Sequence, residues 1–298
     1  MTSAQSVKHL MRFYILSYFL SESGNKKGMI DSNTQLYCII GNPVRHSKSP
    51  AIHNAWFQQH HINAIYLAFE IDEISKGVTA LKTLNIQGAS ITIPFKESIM
   101  DHLDWIDDEA LNIGAVNTIK IKNGKVLGYN TDHRAAIAPL KPFGIMDKKV
   151  CIIGAGGAAQ AVAYGIHKEK GNLVIINRDK IRGEKLALKY NADFIPMAKI
   201  DKLDDFNADI IINTTSIGMH PNVEDMAFPS QYIKSHMVVM DIIYNPLKTK
   251  FLNLAHSKGC TTIDGLSMFM HQAVDQFKLW TGLTPDIDLM RRAMINGQ

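Results

Sequence analysis

Val150-Cys-Ile-Ile-Gly-Ala-Gly-Gly-Ala-Ala-Gln160, at the midpoint of a 298-residue chain, is the stretch whose reading decides the fold. Its apolar start, Val150 to Ile153, has the length of a buried parallel strand. Gly154, Gly156 and Ala159 follow in the spacing G-x-G-x-x-G/A, the turn that lifts a strand into a helix beneath a pyrophosphate. Glycine pairs after apolar runs also form ordinary tight turns, so both readings stay open until the flanking segments separate them.

Downstream, Ala158, Ala159, Ala161, Ala163 and Gly165 offer the small side chains that let a helix sit close to a sheet, and Leu173-Val-Ile-Ile176 reads as the next strand. That strand ends in Asn177-Arg-Asp-Lys-Ile-Arg182. A dinucleotide-binding fold brings this tip, about 20 residues past the glycines, against the adenosine ribose. An acidic tip bonds the free 2′-hydroxyl of NAD, whereas arginines offer forked, charged donors to the 2′-phosphate of NADP. Arg178 and Arg182 favour NADP; Asp179 opposes it by an amount on the order of 1 kcal/mol, so NAD stays open as an alternative. Further strands at Asp209 to Asn213 and Met237 to Tyr244, with Thr214 to Met219 leaving the first, bring small and polar residues to the nicotinamide half of the cleft.

Upstream, Leu36-Tyr-Cys-Ile-Ile40 reads as a strand closed by Gly41-Asn-Pro43, and Arg45-His-Ser-Lys-Ser-Pro50 leads into a helix from near Ala51. Ser47 and Ser49 read as helix caps and equally as hydroxyls for a polar ligand, and the two roles are compatible. A strand over Ala64 to Phe69, a helix from Ile74 to Leu84 and a strand over Gly88 to Ile93 make an α/β domain with a mainly parallel sheet. Thr92 and Lys96 fall near the C-terminal end of that third strand, where open α/β sheets bind ligands; a solvated loop lysine is the plainer reading of Lys96. Ala110 to Thr118 is expected to cross a loop into a hairpin over Ile119 to Gly128, turning at Asn123-Gly124. Tyr129-Asn-Thr-Asp132 then opens a helix to about Lys141, with capping as the plain explanation of Asp132. A final helix begins at Asp264 and carries apolar residues at Met268, Ala273, Phe277 and Trp280.

A composition of 46% hydrophobic and 20% charged residues is that of a globular protein, and the length allows two domains at roughly 150 residues each. The net charge of +4, with no block of basic residues, gives no footprint for nucleic acid or an anionic membrane. Cys38, Cys151 and Cys260 lie in or beside apolar segments without C-x-x-C or Cys/His spacing, so buried reduced thiols, a cytoplasmic location and no metal are expected. Leu10 to Leu20 is apolar but interrupted by Arg12, too short for a membrane span and followed by no small-residue cleavage site. It reads as an appended tail or a helix packed on the body, with Met29 as an alternative start.

Taken in order, Gly41-Asn-Pro-Val-Arg-His-Ser-Lys-Ser-Pro50, Thr92-Ile-Pro-Phe-Lys96, Gly114-Ala-Val-Asn-Thr118, Tyr129-Asn-Thr-Asp132, the glycine turn at 154–159, Asn177-Arg178, Thr215-Ser-Ile-Gly-Met219 and Asp264-Gly265 to Gln272 form a series. This series resembles the shikimate dehydrogenase family, including its quinate/shikimate dehydrogenase branch, from about Leu36 to Leu283. The resemblance implies an oxidoreductase that reversibly reduces 3-dehydroshikimate to shikimate with NADP, in chorismate and aromatic amino acid biosynthesis. It implies that Ser47, Ser49, Thr92, Asn117, Tyr244 and Gln272 hold the substrate's hydroxyls and carboxylate, and that Lys96 and Asp132 are the catalytic pair. Implied cofactor contacts are Gly154, Ala155, Gly156, Gly157, Ala158 and Ala159 in the turn, then Asn177, Arg178, Asp179 and Arg182, then Thr215, Ser216, Met219 and Gly265. The implied architecture is a discontinuous substrate domain (35–132 and 264–298), a Rossmann-type NADP domain (133–263) and an extension (1–34), in a monomer or homodimer. Two positions depart from the pattern: Ala135 stands where the motif usually continues to glycine, and Asp179 where NADP-specific members usually carry threonine.

Reducing a ring ketone requires a hydride donor, which the cofactor supplies, and a proton source at the oxygen. An ammonium at Lys96 can give that proton and stabilise the developing alkoxide, with Asp132 orienting it. A carboxylate neighbour favours the charged lysine, while closure over ligands disfavours it. Two alternatives remain: a quinate/shikimate dehydrogenase that uses NAD as well as NADP, and a non-catalytic ligand-sensing protein on the same scaffold. Retention of both Lys96 and Asp132 counts against the second.

Overall fold

The computed structural model describes residues 30–202, 206–288 and 291; the apolar segment Leu10 to Leu20 and Met29 lie outside the described residues. The first half runs β1 (Gln35–Gly41), α1 (Ser49–Gln59), β2 (Ala64–Glu70), α2 (Ile74–Thr83), β3 (Gly88–Ile91), β4 (Trp105–Ile106), α3 (Asp108–Ile113), β5 (Thr118–Lys122), β6 (Lys125–Tyr129) and α4 (Asp132–Ile137). The second runs β7 (Lys149–Ile153), α5 (Gly157–Lys168), β8 (Asn172–Asn177), α6 (Lys180–Lys189), β9 (Asp193–Pro196), β10 (Ile210–Asn213), β11 (Val238–Asp241), α7 (Lys250–Ser257), β12 (Thr261–Ile263) and α8 (Gly265–Thr281).

The first sheet has the order β2-β1-β3-β5-β6-β4. β1 pairs in parallel with β2 and β3, and β6 with β4; the hairpin strand β5 is antiparallel to both its neighbours. Asn123 and Gly124 both take positive φ, 53° and 73°, as the expected two-residue hairpin turn requires. The second sheet is parallel throughout, in the order β12-β11-β10-β7-β8-β9. Read from β9, this is the doubly wound order 3-2-1-4-5-6, which reverses between β7 and β10. The apolar run of β7 is buried from Val150 to Ile153, as a strand with neighbours and helices on every side must be. The glycine turn therefore leaves the sheet at its switch point.

Helix α8 follows β12 in sequence, yet it packs on the first sheet: Phe269, Phe277 and Trp280 share a core with Tyr37 and Ile39 of β1 and Trp56 and Phe57 of α1. α4 goes the other way, with Ala135, Ala136 and Ile137 in the core of the second sheet beside Val162 and Ala163 of α5. Ala135 is thus a core residue of that helix crossing.

Several expectations shift. β3 stops at Ile91, because Thr92 and Ile93 turn out of the sheet toward Phe95, whose amide donates to the Thr92 carbonyl. Residues 110–118 were expected as loop, but α3 occupies their first part, capped by the Asp107 carboxylate on the Glu109 amide and closed by Gly114 at φ 79°. α4 ends at Ile137 rather than Lys141, and β11 ends at Asp241 rather than Tyr244.

Candidate functional site

Lys96 follows the turn after β3, Asn117 precedes β5, and Asp132 opens α4. The fold brings all three into contact. Lys96 Nζ donates to Asp132 Oδ2 at 2.6 Å and Asn117 Nδ2 donates to Asp132 Oδ1 at 2.8 Å, so each carboxylate oxygen has its own donor. Asp132 is 4% exposed. It does not cap α4; Asn130 does, accepting from the amides of Asp132 (3.0 Å) and His133 (3.3 Å). That frees the Asp132 carboxylate to face Lys96. The solvated-loop reading of Lys96 fails for the same reason.

The other substrate candidates gather around the same strand ends. Ser47 Oγ accepts from the amide of Ser49 (3.2 Å), the first residue of α1, so Ser47 satisfies the helix start as Asn130 does for α4, while Ser49 lies inside the helix and caps nothing. The Tyr244 hydroxyl bonds Ser47, its ring stacks on Phe269 at 4.5 Å, and burial raises its phenol. Thr92 is tied by its amide to the Ile40 carbonyl (3.0 Å). The Gln272 amide turns back to the Phe269 carbonyl of its own helix (2.9 Å), and the Thr131 hydroxyl reaches the Gln272 carbonyl (3.4 Å).

Opposite lies the glycine turn. Gly154 has φ 118°, and a Cβ there would sit 2.5 Å from Thr214 Oγ1. A Cβ on Gly157 would sit 2.9 Å from Lys96 Cβ, so the first turn of α5 touches the catalytic candidate. Gly156 starts α5 with no side-chain cap and nothing within 4 Å of its would-be Cβ. Free backbone amides at an open helix start are what a pyrophosphate needs, so the residues present fit a dinucleotide. Ala155, Ala158 and Ala159 continue the turn, and Ala159 is buried against the sheet where a third glycine would serve.

At the tip of β8, Asn177 Nδ2 donates to the Asp179 carbonyl (2.8 Å), and the Asp179 carboxylate caps α6 on the Arg182 amide (3.1 Å). Arg178 is exposed there. The Arg182 guanidinium, expected to await a 2′-phosphate, is paired with Glu97 next to Lys96. Among the residues expected to border a nicotinamide, Thr215 is held by its amide and hydroxyl on Asn213 Oδ1 (3.0 and 2.7 Å). Ser216 accepts from the Met219 amide (3.1 Å), and Gly265 lies so close to the Ile242 and Ile243 carbonyls that no side chain fits.

Sequence reasoning missed several supporting residues. Asn213 Nδ2 donates to the buried Asp241 (3.1 Å), which also accepts from the Ile243 amide (3.1 Å) and the Thr249 hydroxyl (2.7 Å). Burial pushes the Asp241 carboxyl up to about 6, against these bonds. Glu109 of α3 joins Arg134 of α4 (2.6 Å) and Lys168 of α5 (2.8 Å), with His133 Nε2 at 3.4 Å. Burial lowers the His133 imidazole, more than the Glu109 charge raises it. Ser90, two residues before Thr92, and Gln276, one turn after Gln272, were findable by strand and helix periodicity from residues already in hand.

Three family descriptions match consecutive parts of the chain: "Shikimate dehydrogenase substrate binding domain" at residues 39–119, "Shikimate / quinate 5-dehydrogenase" at 138–265 and "Shikimate 5'-dehydrogenase C-terminal domain" at 265–295. A relative named shikimate dehydrogenase (NADP(+)) from Methanococcus maripaludis is 43% identical over 275 residues, covering 89% of this chain and 98% of the relative. A crystal structure of a shikimate dehydrogenase in complex with NADP+ superposes with a TM-score of 0.84 at 40% identity, covering 92% of this chain and 99% of that one. The Listeria monocytogenes shikimate 5-dehydrogenase, in complex with shikimate and NAD, does so with a TM-score of 0.80 at 30% identity over 90% and 98%.

Proposed function

The chain belongs to the shikimate dehydrogenase family, and on that footing we propose that it interconverts 3-dehydroshikimate and shikimate with NADP, a step of chorismate and aromatic amino acid biosynthesis. One observation carries the reading: Lys96, already salt-bridged to Asp132, touches the first turn of α5 at Gly157, so proton chemistry and cofactor cradle meet in one cleft. NADP, when bound, gives or takes the hydride at the ring carbon. The open start of α5 at Gly156 would hold its pyrophosphate, and the exposed Arg178 would meet its 2′-phosphate.

Lys96 does the proton work. In the reducing direction its ammonium, 16% exposed at the side chain, gives a proton from Nζ to the ketone oxygen as that oxygen gains charge. In the oxidising direction the neutral amine takes the hydroxyl proton. Asp132 holds Nζ in place through Oδ2, and Asn117 fixes the carboxylate through Oδ1. Ser47, Ser49, Thr92, Asn117, Tyr244 and Gln272 hold the substrate's hydroxyls and carboxylate, and Thr215, Ser216, Met219 and Gly265 border the nicotinamide half.

The assignment makes residues 35–132 with 264–298 the substrate domain and 133–263 the NADP domain. Three buried free cysteines accord with a cytoplasmic protein. Among the described residues no helix is long and apolar enough to cross a membrane. As to assembly, it works as a monomer or homodimer.

In a second reading the chain is a quinate/shikimate dehydrogenase that also accepts NAD, and Asp179 favours the cofactor half of it. Its carboxylate caps α6 at the ribose end of the cleft, where a 2′-phosphate would meet a like charge and a 2′-hydroxyl an acceptor. A kinetic matrix of shikimate and quinate against NADP and NAD tests both readings. The first expects the highest kcat/KM for shikimate with NADP; equal or higher efficiency for quinate with NAD replaces it with the second, and absence of all turnover sinks both.

A further inference from the structure

Gln276 is 1% exposed and has no part in the roles assigned above. It lies on α8 one turn beyond Gln272, and its amide is clamped from both ends. Oε1 accepts from Ser90 Oγ on β3 at 2.6 Å, while Nε2 donates to Thr118 Oγ1 at 3.1 Å and to the Asn117 carbonyl at 3.4 Å, both at the start of β5. The Asn117 carbonyl is an acceptor only, which fixes which way round the amide sits.

That orientation propagates. Thr118 Oγ1, accepting from Gln276 Nε2, donates its own hydrogen to Asn117 Oδ1 at 2.7 Å. Asn117 Oδ1 is thereby an acceptor, a role it also has toward the Thr131 amide (2.8 Å), and its Nδ2 must face Asp132. At the far end the Tyr66 hydroxyl donates to Ser90 Oγ at 2.6 Å. From Tyr66 through Ser90, Gln276, Thr118 and Asn117, every donor points the same way, and the series ends on the carboxylate that holds Lys96. Hydrogen bonds aligned head to tail in a buried site polarise and reinforce one another.

We propose that Gln276 is a positioning residue of the reaction: it keys α8 to the ends of β3 and β5 and sets the orientation of Asn117, and through it the placement of Asp132 against Lys96. The inference rests on the reading of Lys96 and Asp132 as the proton-transfer pair. α8 supplies its own control. One turn further on, Trp280 Nε1 donates to the Ile119 carbonyl (2.8 Å), a buried bond between the same helix and the same strand that leads nowhere near the carboxylate.

The test is steady-state kinetics with shikimate and NADP, together with melting temperatures, on the full chain and its Gln276→Met and Trp280→Phe variants. Gln276→Met is expected to lower kcat by about 10- to 100-fold, as a small misplacement of a catalytic group does, with KM for shikimate within about threefold. Trp280→Phe is expected to lower the melting temperature at least as far while kcat stays within about twofold of wild type. A kcat for Gln276→Met within about threefold of wild type overturns the inference, and so does an equal loss of kcat in Trp280→Phe, which would mark the whole helix as support. If Gln276→Met does not fold, Ser90→Ala removes the Oε1 partner, along with the acceptor of the Tyr66 hydroxyl, and leaves Gln276 itself in place; a kcat loss of about 3- to 10-fold supports the inference and an unchanged kcat overturns it. A wild-type chain that does not turn over shikimate fails the functional reading and takes this inference with it, whereas an active wild type with a normal Gln276→Met variant fails the inference alone.

Discussion

The same two side chains meet on each wall of the cleft: Asn117 with Asp132 at 2.8 Å on the first sheet, Asn213 with Asp241 at 3.1 Å on the second. Both carboxylates are buried, 4% and 0% exposed. What separates them is Lys96. Asp132 has an ammonium on its second oxygen, whereas Asp241 has only neutral donors, the Ile243 amide and the Thr249 hydroxyl, and burial pushes its carboxyl up to about 6. The Asp241 bonds all serve to shape loops, Thr214 to Met219 through Asn213 and the segment up to Thr249. On the proposed function, the Asn117–Asp132 pair differs from the Asn213–Asp241 scaffold in that the group completing it, Lys96, can give away a proton.

Removing that group is the strongest way to break the contrast. Lys96→Ala leaves Asp132 a buried carboxylate with neutral donors only, a second Asp241. Turnover of shikimate at saturating substrate is expected to fall by about 100-fold or more, the usual loss for a general acid or base. Retention of kcat within about tenfold of wild type would mean that the proton travels elsewhere and that the two pairs do not differ in kind.

Asp241→Asn approaches from the other side. The folded-state carboxyl lies at about 6 against an ordinary 3.8, so between those values the folded chain binds more protons than the unfolded one. Stability from this group therefore falls as pH rises from about 4 to about 6, and the ionised carboxylate costs about 2 kcal/mol at pH 7, after allowance for relaxation of the site. An amide at 241 can still accept from the Ile243 amide and donate to the Thr249 hydroxyl, so the variant is expected to gain stability at pH 7 and little at pH 4. Urea denaturation at the two pH values reads this; a variant destabilised at pH 7 but not at pH 4 would show that the carboxylate is needed as a charge.

The glycine turn and the alternation of strands and helices were legible in the sequence, whereas Lys96 and Asp132, read as residues, gave only a loop lysine and a helix cap, and it was the family resemblance that paired them. Asp241 was legible in neither way. It closes an apolar run, Val238 to Met240, and nothing local says that its carboxylate turns inward to Asn213, a contact between residues on neighbouring strands. α3 was missed because six residues are too few for a helical period, and its caps, Asp107 and Gly114, are ordinary loop residues. The competing role of Arg182 depends on Glu97, 85 positions away in sequence, and only the closeness of the two sheets brings them together.

Glu109 sharpens the comparison with a third carboxylate, one that has cations but no reaction to serve. Burial alone would raise its carboxyl, but hydrogen bonds from Lys168 and Arg134 prevail and hold it down at about 2, below the ordinary 4.5. A depressed carboxyl stabilises the fold fully above about pH 4.5 and loses that contribution as pH falls toward 2. Both cations are more than half exposed, so water and salt screen the cluster and its worth is about 1 kcal/mol. Glu109→Gln is expected to be less stable than wild type by that amount at pH 7, with the gap narrowing toward about pH 3 and shrinking in high salt. Because Glu109 joins the helix that carries Asp132 to the one that starts at the glycine turn, its kcat is the sharper test. A loss beyond about threefold would mean that the clamp itself sets the distance between proton donor and cofactor; a smaller loss leaves proton transfer to Lys96 alone, the one cation here whose carboxylate is sealed from water.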